Sequence, residues 1–199
     1  MVKARIAVLV SGGGTNLQAL IDAEKSHIIE SAEIVLVISN KPDAYALTRA
    51  SNAGIKTAVI EKKGNPHFES HIIELLKSEK IDVIVLAGFM CILSENFTKT
   101  FENRKLNVHP SLIPSFCGEG FYGLRVHQAA LNYGVKVTGA TVHFVNEIPD
   151  GGKIILQKAV NVEEGDTPEI LQKRVMEQAE WIILPKAVQL VSKQISQDK

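Results

Sequence analysis

Short β-rich runs alternate with segments of helical periodicity along the first half of the chain, and this alternation constrains the fold most strongly. The run Asp82–Leu86 is almost wholly β-branched or leucine, which is typical of a strand buried on both faces of a sheet. Repeated strand–helix–strand units predict a parallel sheet covered by helices on both sides. Because 199 residues suit one domain, we predict a single α/β domain over residues 1–199 with a mostly parallel, twisted sheet.

The apolar patterns also give approximate bounds for the elements. The predicted strands are Ile6–Val10, Ile34–Ser39, Thr57–Ile60, Asp82–Leu86, Leu106–His109, Val137–Asn146 and Lys153–Val162. The predicted helices begin near Leu17 and continue with Ala44–Ala53, a segment from Phe68 to Leu76, Arg125–Tyr133 and Thr167–Val191. Thr167 followed by Pro168 is typical of a helix start, and Pro185 is expected to end or kink this last helix.

Composition excludes several classes of protein. Lys+Arg and Asp+Glu both number 22, so the chain lacks the excess positive charge of a polybasic nucleic-acid-binding or membrane-surface protein. Its apolar runs fall far short of the roughly 20 residues that a membrane span needs. Two cysteines, Cys91 and Cys117, are too few for a disulfide framework or a four-thiolate metal site. We therefore expect a soluble, cytoplasmic protein with no nucleic-acid or membrane partner.

A glycine-rich loop, Ser11–Asn16, follows the first predicted strand and opens the first predicted helix. Three consecutive glycines allow a close backbone approach, and a helix N-terminus presents unpaired N–H groups to an anion. The loop lacks a P-loop lysine, and Asn40 and Lys41 stand where a dinucleotide-binding protein has its ribose-binding acid. A phosphate cradle and a plain tight turn both remain open at this point.

Asn107 and His109 are two positions apart on a predicted strand, so their side chains project from the same face near its carboxyl end. Ligands of open parallel sheets bind at that edge. Asp150 lies in a predicted hairpin turn, where it serves as a turn residue or lies beside His109, raising the imidazole pKa and fixing the ring.

The remaining histidines show weaker patterns. We interpret His143 as a core or hydrogen-bonded histidine within its strand. His67 and His71 are four residues apart at a predicted helix start, yet the sequence shows no third ligand, so we predict no metal site.

Six segments occur in a fixed order between residues 8 and 160: VLVSGGGTN, SNKPDA, VIVLAGFMCIL, LNVHPSLIPSF, GATVHFV and DGGKIILQKAV. In this order they resemble the phosphoribosylglycinamide formyltransferase family of folate-dependent enzymes in purine synthesis, and the match extends over nearly the whole chain. The resemblance implies a Rossmann-like formyltransferase fold with a phosphate-binding half over about 1–105. The second half, about 106–199, would carry the catalytic loop, the folate pocket and the long C-terminal helix.

The resemblance also implies the site residues. Substrate would bind at Gly12, Gly13, Gly14, Thr15, Asn16 and Glu180, with the phosphate on the glycine loop and the glycinamide end on Glu180. Folate would bind at Met90, Cys91, Ile92, Leu93 and Asn107. The catalytic residues would be Asn107, His109 and Asp150.

The implied reaction is direct formyl transfer from 10-formyltetrahydrofolate, a cosubstrate, to the amino group of 5-phosphoribosylglycinamide, through a tetrahedral intermediate and without a metal. The enzyme would be a monomer or a homodimer. One alternative is another folate-dependent formyl transferase or hydrolase of the same fold. A second alternative is a non-catalytic nucleotide-binding module that uses the glycine loop alone, but that module would not explain Asn107, His109 and Asp150 together.

Overall fold

A computed structural model of the chain describes residues 2–197, and its centre is a seven-stranded sheet. The strands are β1 Ala4–Val10, β2 Ala32–Ser39, β3 Lys56–Val59, β4 Val83–Leu86, β5 Lys105–His109, β6 Val137–Phe144 and β7 Ile154–Asn161. Their spatial order is β3-β2-β1-β4-β5-β6-β7, with β1 to β5 parallel and the last two strands antiparallel. The predicted mostly parallel α/β sheet is confirmed.

Helices connect the strands and cover both faces of the sheet. They are α1 Thr15–Lys25, α2 Tyr45–Asn52, α3 Phe68–Ser78, α4 Glu95–Thr100, α5 Leu124–Tyr133, α6 Pro168–Val175 and α7 Trp181–Gln197. A π-helical turn, Met176–Glu180, joins α6 to α7. Within the described part of the chain, no helix combines the length and the apolar character that crossing a membrane requires.

Strand β1 shows why the sheet needs a helix layer on each side. Its residues are almost all fully buried, and their side chains alternate between two cores. Ile6 and Val8 pack in the core that contains α1 and α7, whereas Ala7 and Leu9 pack with α3 and α4 on the other face. Strand order reverses between β1 and β4, and this reversal opens a crevice at the carboxyl ends of the two strands.

The C-terminal helical segment differs from its predicted form. Thr167 caps α6 as predicted, its hydroxyl accepting from the Ile170 N–H at 3.3 Å. The helix continues past Val191 to Gln197, and Pro185 lies inside α7 without ending it. Proline leaves the Trp181 carbonyl without its helical donor, and the π-turn ends directly before Trp181.

Helix α4 was not predicted, because six residues are too few to show a helical period. Ser94 caps its start, and the Lys105 side chain from β5 satisfies carbonyl groups at its end. The Lys105 ammonium donates to the Thr98 carbonyl at 2.5 Å and also to the Phe101 carbonyl. Lys105 is fully buried, and burial lowers the pKa of this amine to about 8.

We expect this buried lysine to make stability depend on pH in alkaline solution. Between about pH 8 and 10.5 the unfolded chain holds a proton on Lys105 that the folded chain has lost, so the free energy of unfolding rises with pH. The contribution to the slope is at most about 1.4 kcal/mol per pH unit. Urea unfolding of the parent and of Lys105→Met at several pH values measures it, and a difference between them that is constant with pH would contradict this prediction.

Candidate active site

The crevice at the carboxyl edge of β1, β4 and β5 contains two adjoining cavities. The larger has a volume of about 630 Å³ and is lined by Asn16, Glu180, His109 and the loop of residues 118–123. The smaller, of about 140 Å³, is a mainly apolar slot lined by Leu86, Phe89, Cys91, Ile92, Leu93 and Val145, with His143, Asn146 and Glu147 among its polar lining residues. Both cavities are lined by Asn107 and Asp150, so these two residues lie where the cavities meet.

The glycine loop is held by α2 through its carbonyl groups. The Gly12 carbonyl accepts from the Ala46 N–H at 3.0 Å, and the Gly13 carbonyl accepts from Arg49 Nε at 2.8 Å. With these carbonyls turned toward α2, the N–H groups at the start of α1 are left for a ligand, since they precede the first intrahelical bond. Gly12, Gly13 and Thr15 are exposed, and Asn16 is the loop residue that lines the larger cavity.

The left-handed backbone of the loop lies at Gly14, with φ of 74°. A Cβ atom at Gly14 would stand 2.6 Å from the Ala46 Cβ, whereas a Cβ at Gly13 would meet no atom within 4 Å. Gly14 is therefore required by the fold, while Gly13 leaves open space above the loop.

Asn16 and Glu180, 164 positions apart, meet at one end of the larger cavity. Asn16 Nδ2 donates to Glu180 Oε2 at 2.7 Å. Glu180 ends the π-turn and is only 6% exposed, and this burial raises the pKa of its carboxyl although the Asn16 bond acts in the opposite direction. Met176, at the start of the same turn, lines the cavity beside it.

Asn107, His109 and Asp150 come together at the other end. Asn107 and His109 lie at the end of β5, and the turn between β6 and β7 returns Asp150 to them. Asp150 Oδ2 lies 3.3 Å from His109 Nδ1, and Asp150 Oδ1 accepts from Asn107 Nδ2 at 3.5 Å. Asp150 therefore lies beside His109, close enough for its carboxylate to affect the imidazole pKa and to orient the ring.

Both ring nitrogens of His109 face oxygen acceptors. Nδ1 faces Asp150, and Nε2 lies 2.8 Å from the carbonyl of Phe116, a residue with φ of 49°. Burial lowers the pKa of His109 below its ordinary value, and the opposing effects of Asp150 and the Phe116 carbonyl do not cancel it. The expected raising effect of Asp150 is present, but the net shift is downward because the ring is almost fully buried.

Asp150 keeps its negative charge despite being half-buried. Burial raises the pKa of its carboxyl, but hydrogen bonds from His143 and from the Gly118 N–H, together with the charge of His109, hold it below the ordinary value. The Gly118 N–H donates to Asp150 Oδ2 at 2.9 Å. The site therefore contains a fixed carboxylate.

Sequence reasoning missed His143 as a member of this group. His143 pairs with Asn107 across the antiparallel β5 and β6, and its Nε2 lies 3.3 Å from Asn107 Nδ2 and 3.4 Å from Asp150 Oδ1. The contacts from Phe116 and Gly118 were also missed, because they come from backbone atoms that carry no side-chain signal. Recognising His143 would have required the register of β6 against β5.

The segment Met90–Leu93 borders both cavities. Cys91 and Ile92 line both of them, Met90 lines the larger one and Leu93 the smaller. The Met90 N–H donates to Ser11 Oγ at 2.8 Å, which links this segment to the glycine loop. Burial raises the pKa of the Cys91 thiol, so it stays protonated, in keeping with an apolar wall.

Among residues 2–197, no group of three or more His, Cys, Asp and Glu side chains is arranged to hold a metal ion. His67 and His71 have ring centroids 6.1 Å apart. The absence of a metal from the reaction stays a prediction.

The crevice lies at the switch point of a Rossmann-like α/β sheet, with a glycine loop at one end and an Asn–His–Asp group at the other. A family model described as "Formyl transferase" matches residues 4–188, and the chain belongs to that family.

Named relatives agree with this assignment. The chain is 46% identical to phosphoribosylglycinamide formyltransferase of Haemophilus influenzae over 187 residues, covering 92% of this chain and 85% of that protein. It is 49% identical over 193 residues to the trifunctional purine biosynthetic protein adenosine-3 of Homo sapiens, covering 96% of this chain and 18% of that protein. The chain therefore spans less than a fifth of the trifunctional relative.

Solved structures show the same fold. The crystal structure of glycinamide ribonucleotide transformylase 1 from Symbiobacterium toebii has a TM-score of 0.90 and 41% identity, covering 96% of this chain and 89% of that one. Phosphoribosylglycinamide formyltransferase from Brucella melitensis has a TM-score of 0.86 and 42% identity, covering 96% of each chain. These likenesses confirm the predicted formyltransferase fold.

We expect Gly14→Ala to destabilise the folded chain, whereas Gly13→Ala, its matched control, leaves stability nearly unchanged. Alanine at Gly14 must adopt a left-handed conformation and approach Ala46, which costs about 1–3 kcal/mol. Alanine at Gly13 meets no neighbour, so its effect stays within about 0.5 kcal/mol. Urea unfolding of both variants tests this, and equal stabilities would show that the loop does not depend on Gly14.

Proposed function

We propose that this chain transfers the formyl group of 10-formyltetrahydrofolate to the amino group of 5-phosphoribosylglycinamide, a step of purine synthesis. The observation that carries the proposal is the meeting of Asn107, His109 and Asp150 where the two cavities adjoin. Amine and formyl donor can each enter from a different cavity and react at that junction. Both partners are small molecules, and we expect the enzyme to act in the cytoplasm as a monomer or a homodimer.

The nucleotide substrate would lie along the larger cavity. Its phosphate would bind the N–H groups of Gly12–Asn16, where the N-terminus of α1 favours a negative charge. At the cavity wall, the buried Glu180 carboxyl offers acceptors for polar hydrogens of the substrate's glycinamide end. This placement directs the amino group along the cavity toward Asn107 and His109.

The folate would use the apolar slot. A flat heteroaromatic ring suits a space of about 140 Å³ bordered by Leu86, Phe89 and Val145. The segment Met90–Leu93 would hold the ring against the slot, and Ile92, which is 70% exposed here, would lose solvent contact on binding. The formyl group would then project to Asn107 at the junction.

The substrate amine attacks the formyl carbon, and a tetrahedral intermediate with a negatively charged oxygen forms. Asn107 would donate a hydrogen bond to this oxygen, which is the kind of contact that lowers a barrier by about 2.7–4 kcal/mol. Protonated His109 would stabilise the same charge and give its proton to the folate nitrogen as the carbon–nitrogen bond breaks. His109, left neutral by this transfer, takes a proton from the attacking nitrogen, so the proton balance of the reaction closes.

His109 must exchange one of its present acceptors to deliver that proton. Asp150 is a carboxylate whose charge favours a protonated Nδ1, whereas the Phe116 carbonyl is a neutral acceptor on the loop that also lines the larger cavity. We infer that the substrate replaces the Phe116 carbonyl at Nε2, and that Asp150 stays on Nδ1. Asp150 then favours the charged imidazolium that burial disfavours.

A formyl-transfer assay with purified protein, 5-phosphoribosylglycinamide and 10-formyltetrahydrofolate tests the function directly. We expect turnover by the parent and a fall in kcat of about 10²–10⁴-fold in His109→Ala, because the proton donor is lost while both ligands still bind. The exposed His67, which lines neither cavity, supplies the control His67→Ala with parental activity. Phosphate-ligand binding without folate-dependent turnover would instead show a binding module.

Asp150→Asn should shift the pH dependence of the reaction. Asp150 raises the pKa of His109, so its loss lowers that pKa further, and the fraction of protonated His109 then falls at a lower pH. The alkaline decline of kcat should therefore move to lower pH, with a reduced maximum. The exposed Asp43→Asn is the matched control, and an unchanged rate and profile in Asp150→Asn would reduce Asp150 to a turn residue.

A further inference from the structure

We propose that Arg49, on α2, is a positioning residue for the substrate phosphate: it supplies, through the Gly13–Gly14 peptide, a positive charge that the glycine loop itself lacks. The proposal rests on the function proposed above, and it assigns a role to a residue that lines neither cavity.

The glycine loop needs a cation because its own charge is small. Ser11–Asn16 contains no charged side chain. The N-terminus of a helix is equivalent to about half an elementary positive charge, whereas a phosphate monoester carries about −1.5 to −2 at neutral pH. A cation close to the loop would therefore strengthen phosphate binding.

Three neutral groups hold the Arg49 guanidinium against the loop. Nε donates to the Gly13 carbonyl at 2.8 Å, and Nη1 donates to Gln18 Oε1 at 3.0 Å. The guanidinium carbon also lies 5.0 Å from the centre of the Tyr45 ring, in a cation–π contact. These partners orient the guanidinium without neutralising it.

Arg49 differs in this respect from two other arginines. Arg5 and Arg174 each form ion pairs with carboxylates, whereas Arg49 forms none within residues 2–197. Its link to a carboxylate is indirect, through Gln18, whose Nε2 donates to Asp22 Oδ1 at 2.9 Å. The positive charge of Arg49 is therefore left to act on a bound anion.

The Gly13–Gly14 peptide transmits this charge toward the ligand. The peptide is trans, so the Gly13 carbonyl and the Gly14 N–H point to opposite sides of it. Because the carbonyl faces Arg49, the N–H faces away from α2, and no acceptor in the described part of the chain takes it. A cation on the carbonyl polarises the peptide and makes its N–H a stronger donor.

Binding of 5-phosphoribosylglycinamide to Arg49 variants tests the role of the charge. Calorimetry of Arg49→Gln in dilute salt should give a Kd about tenfold above the parental value, because the cation is lost while an amide donor remains. Arg49→Lys keeps the charge and should stay within about threefold of the parent. Arg104→Gln is the matched control with parental Kd, since Arg104 is exposed and precedes β5 at the opposite edge of the sheet.

The salt dependence of Kd separates a charge from a purely structural role. Between about 50 and 300 mM NaCl, the parental Kd should rise more steeply than that of Arg49→Gln, so that the two values converge. A loop that is merely loosened would raise the Kd by the same factor at every salt concentration. In the formyl-transfer assay, the loss should appear in KM for 5-phosphoribosylglycinamide and not in KM for the folate.

The outcomes distinguish this inference from the proposed function. Absence of binding or of formyl transfer by the parent would contradict the proposed function. With an active parent, three results would each overturn the inference: a parental Kd in Arg49→Gln, an equal loss in Arg49→Gln and Arg49→Lys, or a loss that does not change with salt. Arg49→Met keeps the aliphatic part of the side chain and takes the place of Arg49→Gln in each comparison if that variant fails to fold.

Discussion

The antiparallel pairing of β5 with β6 is the interaction on which the site depends. It ends the parallel part of the sheet, sets His143 opposite Asn107, and sends the chain into the turn that returns Asp150 to His109. A shift of one residue in this register would move His143 to the opposite face of the sheet. The register is held because the inward residues of β6, such as Ala140 and Val142, are fully buried in the core.

Electrostatics inside the crevice follow from placing one carboxylate among several donors. Burial disfavours the charged forms of both Asp150 and His109. The net pKa shift nevertheless favours the charged form of Asp150 and the neutral form of His109. Asp150 accepts hydrogen bonds from side chains and from the Gly118 N–H, so it stays ionised. His109 is buried more deeply, and burial lowers its pKa. The Asp150 carboxylate makes this decrease in pKa smaller but does not reverse it. The same burial that disfavours the charged form of His109 also strengthens each hydrogen bond in the site.

Particular elements show where sequence patterns suffice and where they fail. The strands β1, β2 and β4 were predicted within a few residues because both of their faces are buried, which leaves unbroken apolar runs. Helix α4 was missed because six residues show no period, and the π-turn was missed because Thr167–Val191 was predicted as one helix that Pro185 would end or kink. The left-handed glycine, Gly14, could not be told from Gly12 and Gly13, since only its positive φ and its approach to Ala46 distinguish it, and both are set by the fold.

The sequence by itself determined the layered α/β fold, the glycine loop at the end of β1, and the shared face of Asn107 and His109, because these depend on local periodicity. Only the tertiary structure decided whether Asp150 is a turn residue or a partner of His109, and whether His143 belongs to the core or to the site. Contacts between residues 36 to 43 positions apart depend on strand register and turn geometry, which no local pattern encodes. The contacts from the backbone groups of Phe116 and Gly118 could not be predicted from the sequence. Every residue carries a backbone carbonyl and nearly every residue carries an N–H, so only the fold decides which of these groups reach His109 and Asp150.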